Sequence, residues 1–237
     1  MAGGVPMTGM VIAIDGPSGS GKSTISRTVA AQLGLAYLDT GAMYRAATWW
    51  CLDQGIPLGD GDAVADAVAT MPLEMVMDPA APAVRLGHTD VTGAIRGTDI
   101  ATAVSRVATN LAVRAVLVTR QRELIAHETH GGFSGGRGVV AEGRDITTVV
   151  APDAHVRILL TASETARLAR RAREVHGADD AAALAATADQ VLRRDRDDST
   201  VATFLAAADG VTTVDSSHLS LEETVAAVRG LVDEVLA

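Results

Sequence analysis

The chain has 237 residues, of which 48% are hydrophobic and 21% charged, with mean hydropathy +0.22. That excludes a disordered chain and points to one sizeable domain. Aromatics are only 3% and the formal net charge is −9, which disfavours both a stacking platform for single-stranded nucleic acid and non-specific binding to nucleic acid or membrane. A single cysteine, Cys51, excludes an intrachain disulfide. No apolar run approaches about 18 residues and the first residues lack a charged n-region, so a cytoplasmic chain without a membrane span or signal peptide is expected.

Val11 to Asp15 is a short apolar run ended by Gly16 and predicts a buried strand. Ile25, Val29 and Leu33 follow at helical spacing and Gly34 stops them, which predicts a helix over 22–33. A second strand is expected at 36–39, with helices over 41–54 and 60–70. From Pro72 to about Ile100 the chain is cut by Pro and Gly into short pieces, which predicts a small antiparallel insert. Helical patterning returns over 101–107 and 113–127. His130 to Gly138 reads as a mobile Gly-rich connector. Further strands are expected at 139–141, 156–160 and 211–215, and Arg-rich helices over 163–176 and 181–194. A closing helix over 220–236 carries Ser220 and Glu223 at capping-box spacing. Strands alternating with helices imply an α/β fold with a five-stranded parallel sheet covered on both faces.

Residues 16–23, GPSGSGKS, match the phosphate-loop pattern in its required strand–helix context. Gly16, Gly19 and Gly21 let successive backbone N–H groups face one point, and the helix beginning at Lys22 adds its positive end. Lys22 can reach the β and γ oxygens of a nucleotide, and the Ser23 hydroxyl can ligate Mg²⁺. Lys22 is the only lysine in the chain; every other basic residue is arginine. A compact ammonium is therefore kept only where a point charge suits the task. Base-reading GTPase motifs need a second lysine, and motor ATPases need longer chains, so small-molecule kinases remain.

Such a kinase must hold an acceptor in line with the γ-phosphate. An anionic acceptor needs several arginines and no base. Arg45 and Arg144 follow strands, in DTGAMYR and EGRD, with Tyr44 and Asp145 adjacent. Arg96 lies in the insert, and Arg114 begins a helix. These residues leave other small acceptors open, such as UMP, shikimate or a sugar acid, and also a nucleotide-binding regulatory module without phosphotransfer.

IDGPSGSGKST (14–24), LDTGAMYRA (38–46), VTGAIRGTDI (91–100), the 105–114 segment, AEGRDITTVVAPDA (141–154), RRDRDDST (193–200) and VDSSHLSLEE (214–223) together resemble the bacterial cytidylate kinases, in family order over nearly the whole chain. The resemblance implies a P-loop nucleoside monophosphate kinase fold in a single domain. Its core would be 10–60, 101–165 and 205–237, its NMP-binding insert about 61–100 and its helical lid about 166–204. It implies transfer of the γ-phosphoryl of ATP, with Mg²⁺, to CMP or dCMP in a monomer. Gly16, Pro17, Ser18, Gly19, Ser20, Gly21, Lys22, Ser23 and Thr24 would bind the ATP phosphates. Ser18, Thr40, Tyr44, Arg45 and Arg144 would surround the acceptor phosphate and sugar, while Ser105, Arg114 and Asp145 would read cytosine. Arg194 and Asp198 match the lid, and Lys22, Arg144 and Arg194 are the expected catalytic residues.

Two departures stand out. Val201 occupies the place of a second lid arginine, so either one phosphate-contacting arginine is missing or its role has moved to Arg193 or Arg196. Glu142 ends the third strand where some relatives carry Asp, and should support Mg²⁺ through water. Arg167, Arg170 and Arg171 read equally as lid charge or as a solvated helix face. His127 and His130 lack companions for a metal site, and Cys51 beside Trp49 and Trp50 reads as core.

Overall fold

The computed structural model describes residues 9–237. Five parallel strands run in the order β2 (Ala36–Asp39), β6 (Gly138–Gly143), β1 (Met10–Asp15), β7 (Val156–Thr161) and β8 (Thr212–Asp215). Alternation along β1 sends Ile12 and Ile14 to one face and Val11 and Ala13 to the other. The first face is covered by α1 (Lys22–Leu33) and α8 (Leu221–Leu236), through Ile25, Val29, Val228 and Val232. The second is covered by α2 (Thr40–Asp53) and α5 (Leu111–His130), through Met43, Ala46, Val113 and Leu117. Burial on both faces is why these strands read as unbroken apolar runs. The five-stranded parallel core is as expected, and Cys51 is core, fully buried on α2.

The insert is α3 (Gly61–Ala69) followed by an antiparallel sheet of β3 (Leu73–Val76), β4 (Ala83–Leu86) and β5 (Thr89–Asp90). A 3₁₀ turn at Ala94–Arg96 leads into α4 (Thr98–Ala108). Helices α6 (Glu164–His176) and α7 (Ala181–Asp198) form a hairpin around Gly177, and α7 runs four residues beyond its expected end. That extra turn makes Asp195 and Asp198 helical. The capping box at Ser220 and Glu223 is present.

Two expectations need correction. The Gly-rich segment after α5 is tied down rather than loose: the buried Glu128 carboxylate accepts from the backbone N–H groups of Phe133 and Ser134 at 2.9 and 2.8 Å. Residues Ile146–Val150, whose β-branched run carried no expectation of helix, form a wide π-type turn. Asp15 imposes it from the end of β1. Its carboxylate accepts from the N–H groups of Ile146 (2.9 Å) and Thr147 (2.8 Å) and from the Thr147 hydroxyl (2.6 Å).

Register explains where chemistry collects. Asp15 lies opposite Gly143, and Asp39 opposite Glu142. The carboxyl ends of β1, β2 and β6 thus bring Gly16, Thr40 and Arg144 to one edge, the place where open parallel sheets bind ligands.

Candidate active site

The phosphate loop turns tightly between β1 and α1. Gly19 and Gly21 have φ of 77° and 89°, a conformation open to glycine. A Cβ on Gly19 would also lie 2.5 Å from the Arg167 carbonyl oxygen, so the loop backbone meets α6 directly. Ser20 N–H donates to the Pro17 carbonyl at 3.3 Å, and the Lys22 ammonium donates to the same carbonyl at 3.3 Å. Burial pushes the Lys22 pKa down, while the nearby Glu142 carboxylate opposes that shift. Ser23 and Thr24, the next two residues of α1, are exposed.

Glu142 anchors this side. Its Oε1 accepts from the Ser23 hydroxyl at 2.6 Å and from the Tyr37 hydroxyl at 3.2 Å. Burial, and then the Asp39 carboxylate, push its pKa up. A hydroxyl and a carboxylate oxygen beside the loop suit a hard cation that takes its remaining ligands from phosphate and water. Among the described residues no cluster of three or more His, Cys, Asp or Glu forms a dedicated metal cage. The donor set therefore fits Mg²⁺ carried in with a nucleotide.

The residues expected on the acceptor side come from distant segments. Thr40 donates its hydroxyl to the Glu142 carbonyl at 2.8 Å, which clamps α2 to β6. Arg45 pairs with Asp39 at 2.8 Å. Burial alone would raise Asp39, but the Arg45 charge and hydrogen bond, the Ala42 N–H and the Lys22 charge together outweigh it and hold the carboxyl below its usual range. Arg45, Asp39 and Arg96 line one cleft. Tyr44 is buried, and burial lifts its hydroxyl to about 12. The Arg114 guanidinium lies 5.9 Å from the Tyr44 ring centroid and pairs with Asp145. Ser105, half-buried on α4, precedes them by one helix. Burial raises Asp145 and Arg114 opposes that rise.

Arg144 joins acceptor side and lid. Its guanidinium reaches Asp195 at 3.1 Å and Asp198 at 2.6 Å, and covers the Phe204 ring at 4.6 Å. Arg194 is 3.7 Å from Asp198, and its buried Nε lacks a hydrogen-bond partner among the described residues. Burial first, then the charges of Arg144 and Arg45, push Arg194 down to about 9, so it stays cationic at neutral pH. Desolvated cations gathered like this favour an anion among them.

The three lid arginines divide. Arg167 donates to the Ser18 carbonyl at 2.9 Å and pairs with Asp195. Arg170 donates to the Ser20 carbonyl at 3.2 Å and to the Ser216 hydroxyl at 2.9 Å. Arg171 lines a small cleft with Ser18 and Arg194. Arg193 and Arg196 are both exposed on α7, which favours the alternative that the arginine missing at Val201 is not replaced.

The structure thus brings Lys22, Tyr44, Arg45, Arg114, Arg144, Asp145, Arg194 and Asp198 into one connected cluster at the sheet edge. It adds Asp15, Asp39 and Asp195, which the sequence reading passed over. Asp39 had a local signal, since it caps α2 by accepting from Ala42 N–H at 2.8 Å.

The family described as cytidylate kinase matches residues 12–234. The cytidylate kinase of Cutibacterium acnes is 47% identical over 228 residues, covering 96% of this chain and 97% of that protein. That of Rhodococcus opacus is 46% identical over 230 residues, 95% of each. That of Streptomyces griseus is 44% identical over 225 residues, 94% of this chain and 93% of its own. With its loop, strand edge and arginine cluster in family order, the chain belongs to the cytidylate kinase family of phosphotransferases.

Proposed function

We propose that the protein transfers the γ-phosphoryl group of ATP to CMP or dCMP, giving ADP with CDP or dCDP. The observation that carries this reading is the convergence of two anion-binding groups at one sheet edge. Lys22 and the loop amides form one; Arg45, Arg144 and Arg194 form the other, and Arg144 and Arg194 lie close enough to Lys22 for their charges to act on its ammonium.

The acceptor oxygen is already ionised at neutral pH, so no general base is needed. Catalysis rests on placement and on stabilising charge as it spreads over the transferred group. Lys22 neutralises the donor side and Arg144 with Arg194 the acceptor side. Arg45, Thr40 and Tyr44 seat the acceptor phosphate and sugar, with Asp198 at the sugar edge. Ser105, Arg114 and Asp145 meet the base. Cytosine presents an N4 donor beside N3 and O2 acceptors, so a carboxylate together with cationic or hydroxyl donors favours it over uracil. Ser23, with Glu142 through water, would hold Mg²⁺, which when bound screens the β and γ oxygens. Residues 61–100 act as the acceptor-binding insert and 166–204 as the lid, whose closure excludes water.

The enzyme works as a monomer in the cytoplasm, with small nucleotides as its partners. The net charge of −9 and the lone buried cysteine support that setting. Among the described residues no single helix is long and apolar enough to cross a membrane.

A coupled assay of ADP release across CMP, dCMP, UMP and shikimate tests this reading. CMP or dCMP should give the highest kcat/KM. A higher value for either other acceptor would overturn the assignment.

A further inference from the structure

We propose that Asp195 is a positioning residue for phosphoryl transfer: its carboxylate joins the phosphate loop, the lid and Arg144 into one unit, so that lid closure and the placing of Arg144 are a single event. This rests on the kinase reading above.

Three connections converge on that carboxylate. Oδ1 accepts the Ser18 backbone N–H at 3.2 Å and lies 3.1 Å from Nη2 of Arg144. Oδ2 pairs with Arg167, whose Nη1 also donates to the Ser18 carbonyl at 2.9 Å. Ser18 is therefore gripped at both its N–H and its C=O by the two lid helices, one from α7 and one from α6. Asp195 and Arg167 are both buried, at 6% and 8% exposure.

Stability alone is a poor reason for such a cluster. A buried ion pair roughly breaks even against apolar packing, because desolvation offsets attraction. What charge adds here is direction. Arg144 extends from the turn after β6, and two carboxylates one helical turn apart on α7, Asp195 and Asp198, set its guanidinium against the Phe204 ring. With α7 displaced from the loop, Arg144 would lose both carboxylates, and Ser18 would lose the clamp on its N–H while Arg167 lost its carboxylate partner. The lid thus fixes the acceptor-side cation and the donor loop by the same contact.

Asp195 touches no reacting atom in this scheme, so its loss should appear in kcat more than in donor affinity. Lys22 and the rest of the loop remain to hold ATP. The test is a double-mutant cycle on the full chain with D195N, R167M and D195N/R167M, measuring kcat with CMP and KM for ATP, alongside circular dichroism. D195N is expected to lower kcat by about tenfold while KM for ATP moves by less than about threefold. Because both substitutions break one clasp, the double variant should be within about twofold of the slower single variant.

A kcat for D195N within about twofold of wild type, or single effects that multiply in the double variant, would overturn the proposal. Should D195N lose its fold, R167M alone is held to the same thresholds. A wild-type protein inert toward CMP would sink the functional reading instead. The cycle would then be read with the acceptor that the wild type does use.

Discussion

The proposed donor and acceptor sides of this site are built for the same task, holding a phosphate, in opposite ways. The donor side is nine consecutive residues, Gly16 to Thr24, in one turn; its donors are mainly backbone and its cation is one ammonium. The acceptor side draws Thr40, Tyr44 and Arg45 from α2, Ser105 from α4, Arg114 from α5, Arg144 and Asp145 from the turn after β6, and Arg194 and Asp198 from α7. There each guanidinium leans on a carboxylate: Arg45 on Asp39, Arg114 on Asp145, Arg144 on Asp195 and Asp198. A backbone cradle is complete once the turn forms. A side-chain cluster is complete only when distant elements dock, which suits it to discriminate acceptors and to sense closure. Exposed pairs such as Arg85 with Glu74 contribute little by comparison.

The sharpest way to break this contrast is Lys22→Ala. The donor side has no second ammonium to compensate, since the chain contains no other lysine. We expect kcat to fall by about 10²-fold or more with the fold unchanged by circular dichroism. Turnover near wild type would remove Lys22 from the mechanism.

Asp145→Ala should act more selectively. It removes the partner of Arg114 and the expected acceptor for the cytosine amino group. The kcat/KM for CMP should fall about tenfold or more while that for UMP changes much less. Equal losses on both acceptors would show that Asp145 supports structure without reading the base.

The effect with the least bearing on turnover is on stability and depends on pH. Burial raises the Asp15 pKa from 3.8 to about 6, with its hydrogen bonds from Thr147 and Ile146 opposing the rise. Between those values the folded chain holds a proton that the unfolded chain has lost. Asp15 therefore contributes most stability at low pH, and that contribution declines as pH rises from about 4 to about 6. The unfolding free energy of wild type minus that of Asp15→Asn should fall by up to about 3 kcal/mol across this window. Denaturant titrations at stepped pH check it. Parallel profiles for the two proteins would contradict it.

The same contrast explains what was legible in the sequence. The strands, the loop and the capping box are local patterns, readable within a dozen residues. The π-type turn was not readable, because ITTVV has strand propensity and its conformation is imposed by Asp15, 131 residues earlier. Arg167, Arg170 and Arg171 lie within five positions of one helix, and spacing could not separate them. Docking against the loop turns Arg167 and Arg170 onto Ser18 and Ser20 carbonyls and leaves Arg171 lining a cleft. Arg193 and Arg196 are candidate substitutes for the arginine missing at Val201, yet both are exposed on α7. The resemblance to a known family supplied the order of the acceptor residues; the carboxylates that orient them became visible only with the packing.

Phosphorus NMR of the purified protein with magnesium, ATP and CMP tests the central claim most directly. The γ-phosphorus signal of ATP should fall toward an equilibrium level as the β-phosphorus signals of ADP and CDP grow together in equal amounts. Growth of inorganic phosphate with CMP unchanged, or an unchanged spectrum, would contradict it.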